Sequence, residues 1–269
     1  MVHKLYIEGP YGQIHCRTQH PAETRQPALV CLHMSPKSGR LFEAAMPPLA
    51  RDRLVLAPDY PGMGESAPPP AEPAVTIEDY ATAMWHVVDH LAKTPVYLLG
   101  HHTGAMVATE MATQRPDDVC GIVMVSAPVL TDDEIASMHQ TYAPIPIDED
   151  GTRYRVMWER ILAHRGPGMT LEMAAVSMAE NLRGGEDYEW GHRAAFNYAA
   201  RYRDRLTTLR QPVLVLNPAD DCETFSRRSD DLLQQGRRVD RPEWGHGFID
   251  VAPGAFADAV YEFLEELEA

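Results

Sequence analysis

Apolar runs of strand length alternate along this chain with longer stretches whose apolar residues recur at helical spacing. The segment "KLYIEGPYGQIHCRT" alternates polar and apolar side chains around a Gly-Pro pair and predicts two strands joined by a turn. "PALVCLHM" and "DRLVLAPDY" are continuous apolar runs, as expected of strands buried on both faces. Residues 76–92, "TIEDYATAMWHVVDHLA", predict a helix, with Thr76 as N-cap and acids in the first turn. "PVYLLG", "TGAMVATEMATQRP" and "VCGIVMVSAP" then read as strand, helix and strand. "PVLVLNP" is a further strand, and "GAFADAVYEFLEELEA" is a final helix. This alternation predicts an α/β protein with a mostly parallel central sheet and helices on both faces.

Between Pro128 and Pro212 the rhythm breaks. Helical patterns near 152–164, 169–182 and 187–205 follow one another without a clear strand, in a segment rich in Met, Trp, Arg and acids. The expected organisation is therefore a core domain from residues 1–128 and 206–269, with residues 129–205 inserted as a helical cap. The proline-rich stretch "APPPAEPA", residues 67–74, predicts a short stiff loop.

Composition narrows the function classes. A chain of 269 residues, 45% hydrophobic and 23% charged, buries a core without disulfide or metal staples. A formal net charge of −15 repels phosphate backbones and anionic lipid, which sets nucleic acid and membranes aside as partners. No apolar stretch approaches the roughly 18 residues of a membrane span. The N-terminal stretch lacks the pattern of a signal peptide, so the expectation is a cytoplasmic protein. Cys16, Cys31, Cys120 and Cys222 are scattered without C-x-x-C spacing and read as reduced, mostly buried small side chains. The expected partner is a small-molecule substrate, with a homodimer left open.

Four local patterns carry the chemistry, in one order. "LVCLHMSP" ends a strand at His33, and "DYPGMGES" spans residues 59–66. Gly100-His101-His102-Thr103-Gly104 lies between a strand and a helix. "NPADD" ends at Asp221, and "EWGHGFID" places His246 before the last helix. Together they resemble the α/β-hydrolase superfamily over nearly the whole chain, in a form with histidine at the tip of the elbow where G-x-S-x-G has serine. The resemblance implies a catalytic set of His102, His246 and Asp221, with Asp220 as the alternative acid. It also implies an oxyanion hole from the backbone N–H groups of Ser35 and Thr103, although Met34 replaces the glycine usual after His33. The inserted segment would form a lid.

Histidine is among the residues that tolerate positive φ, so His102 keeps the turn while removing the hydroxyl. Two neighbouring imidazoles do not readily carry two charges, so the pair should titrate as a unit and supply a general base near neutral pH. The first reading is a hydrolase, free of cofactor, that acts on a small ester, lactone or related carbonyl compound through histidine-activated water. A C–C lyase or decarboxylase using the same pair, and a ligand-binding pseudoenzyme, are the alternatives. His102 acylated as a nucleophile and Ser35 as a displaced nucleophile remain open as variants.

No P-loop or G-x-G-x-x-G is present, and His33, His102 and His246 lack metal-ligand spacing, so neither a cofactor nor a metal is expected. His101 is expected to point into the core. His86, His90, His139, His164 and His192 read as solvated or hydrogen-bonded. His33, Met34, Trp158, Trp190, Phe196 and Tyr198 are the candidates to line an apolar, aromatic substrate pocket.

Overall fold

The computed structural model describes residues 1–269. The apolar runs become strands: β1 (His3–Gly9), β2 (Gly12–Gln19), β3 (Leu29–Leu32), β4 (Val55–Pro58), β5 (Val96–His101), β6 (Val119–Val125), β7 (Val213–Pro218) and β8 (Gly236–Arg241). The helices are α1 (Met46–Leu49), α2 (Ile77–Leu91), α3 (Thr103–Gln114), α4 (Asp132–Thr141), α5 (Thr152–His164) and α6 (Leu171–Leu182). They continue with α7 (Trp190–Thr208), α8 (Glu223–Ser226), α9 (Phe248–Val251) and α10 (Pro253–Glu268).

The eight strands form one sheet in the order β1-β2-β4-β3-β5-β6-β7-β8. β1 with β2 and β2 with β4 are antiparallel, and every later pairing is parallel. Period-two alternation divides the core between the faces. Val30, Leu32, Leu98, Ile122 and Met124 pack with α2, α3 and α7. Leu29, Cys31, Leu99, Val123 and Val125 pack with α1, α9 and α10. Cutting one such buried leucine to alanine costs about 2–5 kcal/mol.

α2 begins where the sequence predicts. The Thr76 hydroxyl accepts from Asp79 N at 3.1 Å, and the Asp79 carboxylate accepts from Thr76 N at 2.9 Å. Five elements, α1, α4, α8, α9 and β8, lie outside the pattern that the sequence predicts. β8, "GRRVDR", is an edge strand with no apolar run, because one side of it meets solvent and its arginines protect the edge. α4 follows a Thr131–Glu134 capping box, a helix-start signal that the sequence carries.

The helices between β6 and β7 divide by packing. α4 has no fully buried residue, whereas α7 places Ala195, Tyr198, Ala199 and Tyr202 in the core shared with α3. No helix is long and apolar enough to cross a membrane. All four cysteines are free, with Cys16 and Cys31 buried and Cys120 and Cys222 half-buried.

Candidate active site

The turn from β5 into α3 is strained at its tip, where His102 adopts φ 49° and ψ −108°. Two glycines make it possible. A Cβ on Gly100 would lie 2.2 Å from the Gly104 carbonyl oxygen, and one on Gly104 would lie 2.0 Å from the Leu32 oxygen. The His102 N–H is held by the Val125 carbonyl at 3.0 Å, so the tip is tied to β6 as well.

Both aspartates after β7 are used, each by a different histidine. His102 Nε2 lies 2.8 Å from Asp220 Oδ2, and His246 Nε2 lies 2.8 Å from Asp221 Oδ1. An ionised carboxylate only accepts, so each imidazole donates through Nε2. The two rings stand 5.7 Å apart at 81°. The Asp220 carboxylate also accepts from the Ser126 hydroxyl at 2.7 Å and from Cys222 N at 2.8 Å, and its side chain is 2% exposed. Burial opposes its ionised form, but the imidazolium of His102 and these donors outweigh that and hold Asp220 down at about 2. Burial equally opposes charge on His102, but the Asp220 carboxylate 2.8 Å from Nε2 raises it well above the ordinary imidazole range. Cys222 itself is pushed up to about 11 by burial and rests as the thiol. Asp221 is also held below the usual carboxylate range: its bond to His246 overcomes desolvation.

The neighbouring histidines do other work. His101 packs edge-on to His102 at 4.6 Å and is buried, with Nδ1 unpartnered; burial keeps it neutral. His33 is fully buried, donates from Nδ1 to the Met34 carbonyl at 2.9 Å and accepts at Nε2 from Tyr60 N at 3.1 Å. With both nitrogens committed to backbone, it holds two loops together and does not face the substrate space.

A cavity of about 230 Å³ opens beside the histidine pair. Met106, Leu130, Met138, Met157 and Phe196 supply much of its apolar wall, and Met34, Ser35, Thr103, Asp221 and Cys222 lie on it with His102 and His246. Of the expected pocket residues, Met34 and Phe196 line it, while His33, Trp158, Trp190 and Tyr198 do not. Consecutive helical residues point about 100° apart, so α5 turns Met157 and Ile161 inward and carries Trp158 aside. Trp190 packs against the core, and Tyr198 donates to Glu110 Oε2 at 2.7 Å within it. The Ser35 hydroxyl is buried without a hydrogen-bond partner, so neither imidazole is bonded to it.

Some wall residues carry no signal in the sequence. Tyr142, just past α4, is pushed up to about 12 by burial and by the nearby Asp221 and Cys222. Lys37 donates to the Ser177 carbonyl at 2.9 Å, to its hydroxyl at 2.6 Å and to Asn181 Oδ1 at 2.5 Å. Desolvation among these neutral acceptors brings Lys37 down to about 7. Two groups offer possible metal ligands: His102, Asp220, Asp221 and Cys222, and separately His164, Asp221 and His246. His33 belongs to neither.

The chain is 28% identical over 274 residues to a provisionally named carbamate hydrolase, RutD, of Caulobacter sp. (strain K31), covering 96% of each protein. It is 29% identical to human monoglyceride lipase over 149 residues, 52% of this chain and 47% of that one, so it spans about half the length of that relative. An esterase from Thermogutta terrifontis superposes with a TM-score of 0.76 at 21% identity, over 99% of this chain and 100% of the other. These three carry hydrolase, lipase or esterase names, whereas a magnesium-chelatase 30 kDa subunit of Rhodobacter capsulatus, 32% identical over 90 residues, does not. Residues 27–252 match the model of the α/β-hydrolase fold, and the chain belongs to that family.

Proposed function

We propose that this protein hydrolyses a small organic ester, lactone or related carbonyl compound with water activated by histidine, and forms no serine acyl-enzyme. The observation that carries the reading is the pair of imidazole–carboxylate units side by side on the wall of an apolar cavity. His246, oriented by Asp221, takes a proton from water as the oxygen attacks the carbonyl carbon. His102, kept protonated by Asp220, is a fixed positive charge beside the developing oxyanion, and the N–H groups of Thr103 and Ser35 serve as its donors. The tetrahedral species collapses as the proton on His246 passes to the leaving group. These groups supply base, cation and oxyanion donors from the chain alone, so the reading calls for no cofactor. Residues 129–205 act as the cap over the cavity, with α7 as their root in the body. The hydrolase, lipase and esterase names of three relatives support the reaction class.

The substitution His102→Ser converts "GHHTG" into "GHSTG", a serine elbow beside His246. A fluorophosphonate should leave the wild-type elbow unlabelled and label the variant at position 102, as peptide mapping would show. Wild-type labelling at Ser35 would overturn the water route. Turnover of β-keto acids without turnover of esters or lactones would replace hydrolysis by C–C cleavage.

A further inference from the structure

Near the cavity mouth, three residues offer more ligand chemistry than hydrolysis uses. His164 ends α5, Asp221 follows β7 and His246 precedes α9, and a ring nitrogen or carboxylate oxygen from each lies within 4.8 Å of the others. The His164 and His246 rings are 5.7 Å apart. Backbone contact fixes this juxtaposition. Arg165 and His246 form an isolated parallel bridge, and Gly166 N donates to the His246 carbonyl at 3.0 Å. A Cβ on Gly166 would lie 2.6 Å from the His246 oxygen, and one on Gly245 would lie 2.9 Å from Gly166 Cα, so the two segments meet this closely because both carry glycine.

We infer that His164, Asp221 and His246 form a binding site for a divalent transition-metal ion of the Zn²⁺ class, which clips the end of α5 to the body of the protein. Two neutral imidazoles and one carboxylate suit zinc, cobalt, nickel or copper, whereas magnesium and calcium prefer oxygen ligands. Tetrahedral zinc with ligands at about 2.1 Å spaces its donor atoms about 3.4 Å apart, so modest side-chain rotations close the set and water takes the fourth position. The adjacent group around Asp220 is a poorer host. Its carboxylate is already filled by donors from His102, Ser126 and Cys222, which a cation would have to displace. Asp221 accepts from His246 and is 31% exposed, so an ion can reach it. Once bound, the ion takes the lone pairs of Asp221 and His246, and the pair no longer relays a proton. Zinc therefore inhibits. This consequence, unlike the binding itself, rests on the role proposed for His246.

The test uses the full chain freed of metal with a chelator. Titration with Co²⁺, followed by its visible d–d bands, and calorimetry with Zn²⁺ should each show one ion per chain. The substitution His164→Ala should weaken both by about 10-fold or more. Equal binding by wild type and variant, or no binding at micromolar ion, would overturn the site, whether or not a substrate is known. In an activity assay zinc should slow the wild type and spare His164→Ala. A rise in wild-type activity with zinc would overturn the claim that the ion takes the base out of use.

Discussion

His102–Asp220 and His246–Asp221 are built from adjacent aspartates and bonded at the same 2.8 Å, yet their surroundings differ. Asp220 is 2% exposed and receives three donors, whereas Asp221 is 31% exposed and receives His246. In a low-dielectric setting a fully satisfied ion pair is held in one protonation state. The His246–Asp221 pair, with side chains 20% and 31% exposed, is open to water. One chemical motif, repeated 5.7 Å away, is buried and fully bonded in one copy and open to water in the other, and the proposed mechanism uses the first as a fixed charge and the second as the proton acceptor.

The sharpest way to break the comparison is to remove the exposed imidazole, the proposed base. His246→Ala should lower kcat on the order of 10²-fold or more with little change in substrate binding, measured by steady-state kinetics and calorimetry. If tight ligand binding persists in both forms and neither turns over any ester, lactone or β-keto acid, the protein is a binder.

Asp220→Asn tests the buried copy. It removes the partner that keeps His102 charged, and kcat should fall about 10-fold, less than for the exposed imidazole. The two pKa shifts of this pair are one interaction seen from both sides and count once. Asp220 ionises at about 2 rather than near 3.8, so its contribution is present above 3.8 and is lost as pH falls toward 2. His102 is shifted upward, so the contribution is present below the ordinary imidazole value and is lost as pH rises through the raised one. The stability gap between wild type and Asp220→Asn, about 2 kcal/mol from the Asp220 shift, should be widest between these limits and narrow on both sides. Denaturant unfolding across pH measures it, and a gap independent of pH would mean that the pair is not an ion pair.

The smallest effect belongs to Ser126→Ala. It deletes one of the donors to Asp220 and should cost about 1 kcal/mol of stability, with a change in kcat of only a few-fold. A loss as large as that of Asp220→Asn would show that the hydroxyl, rather than the imidazolium, holds the carboxylate.

Much of the architecture was legible because burial on both faces of a parallel sheet writes itself as unbroken apolar runs, as in "LVCL" and "VLAP". β8 was not, because an edge strand half in water has no such run. At the site, His102, His246 and Asp221 stood out from motif order alone. The pairing of Asp220 with His102 did not, since adjacent residues at a strand end point to different sides, and which side meets which ring depends on how β6 and β7 close over the elbow.

The sequence by itself determined the strand-and-helix order, the glycine-framed elbow with its missing hydroxyl, and the presence of late acid and histidine partners. These are local: they follow from side-chain period, from φ tolerance and from residue type. Tertiary structure alone decided that Met157 rather than Trp158 faces the cavity, that Lys37 meets α6, that His33 is spent on backbone and that His164 comes beside His246. A helix turns about 100° per residue, so a small rotation set by distant packing chooses which side chain reaches the site, and no local pattern records that choice.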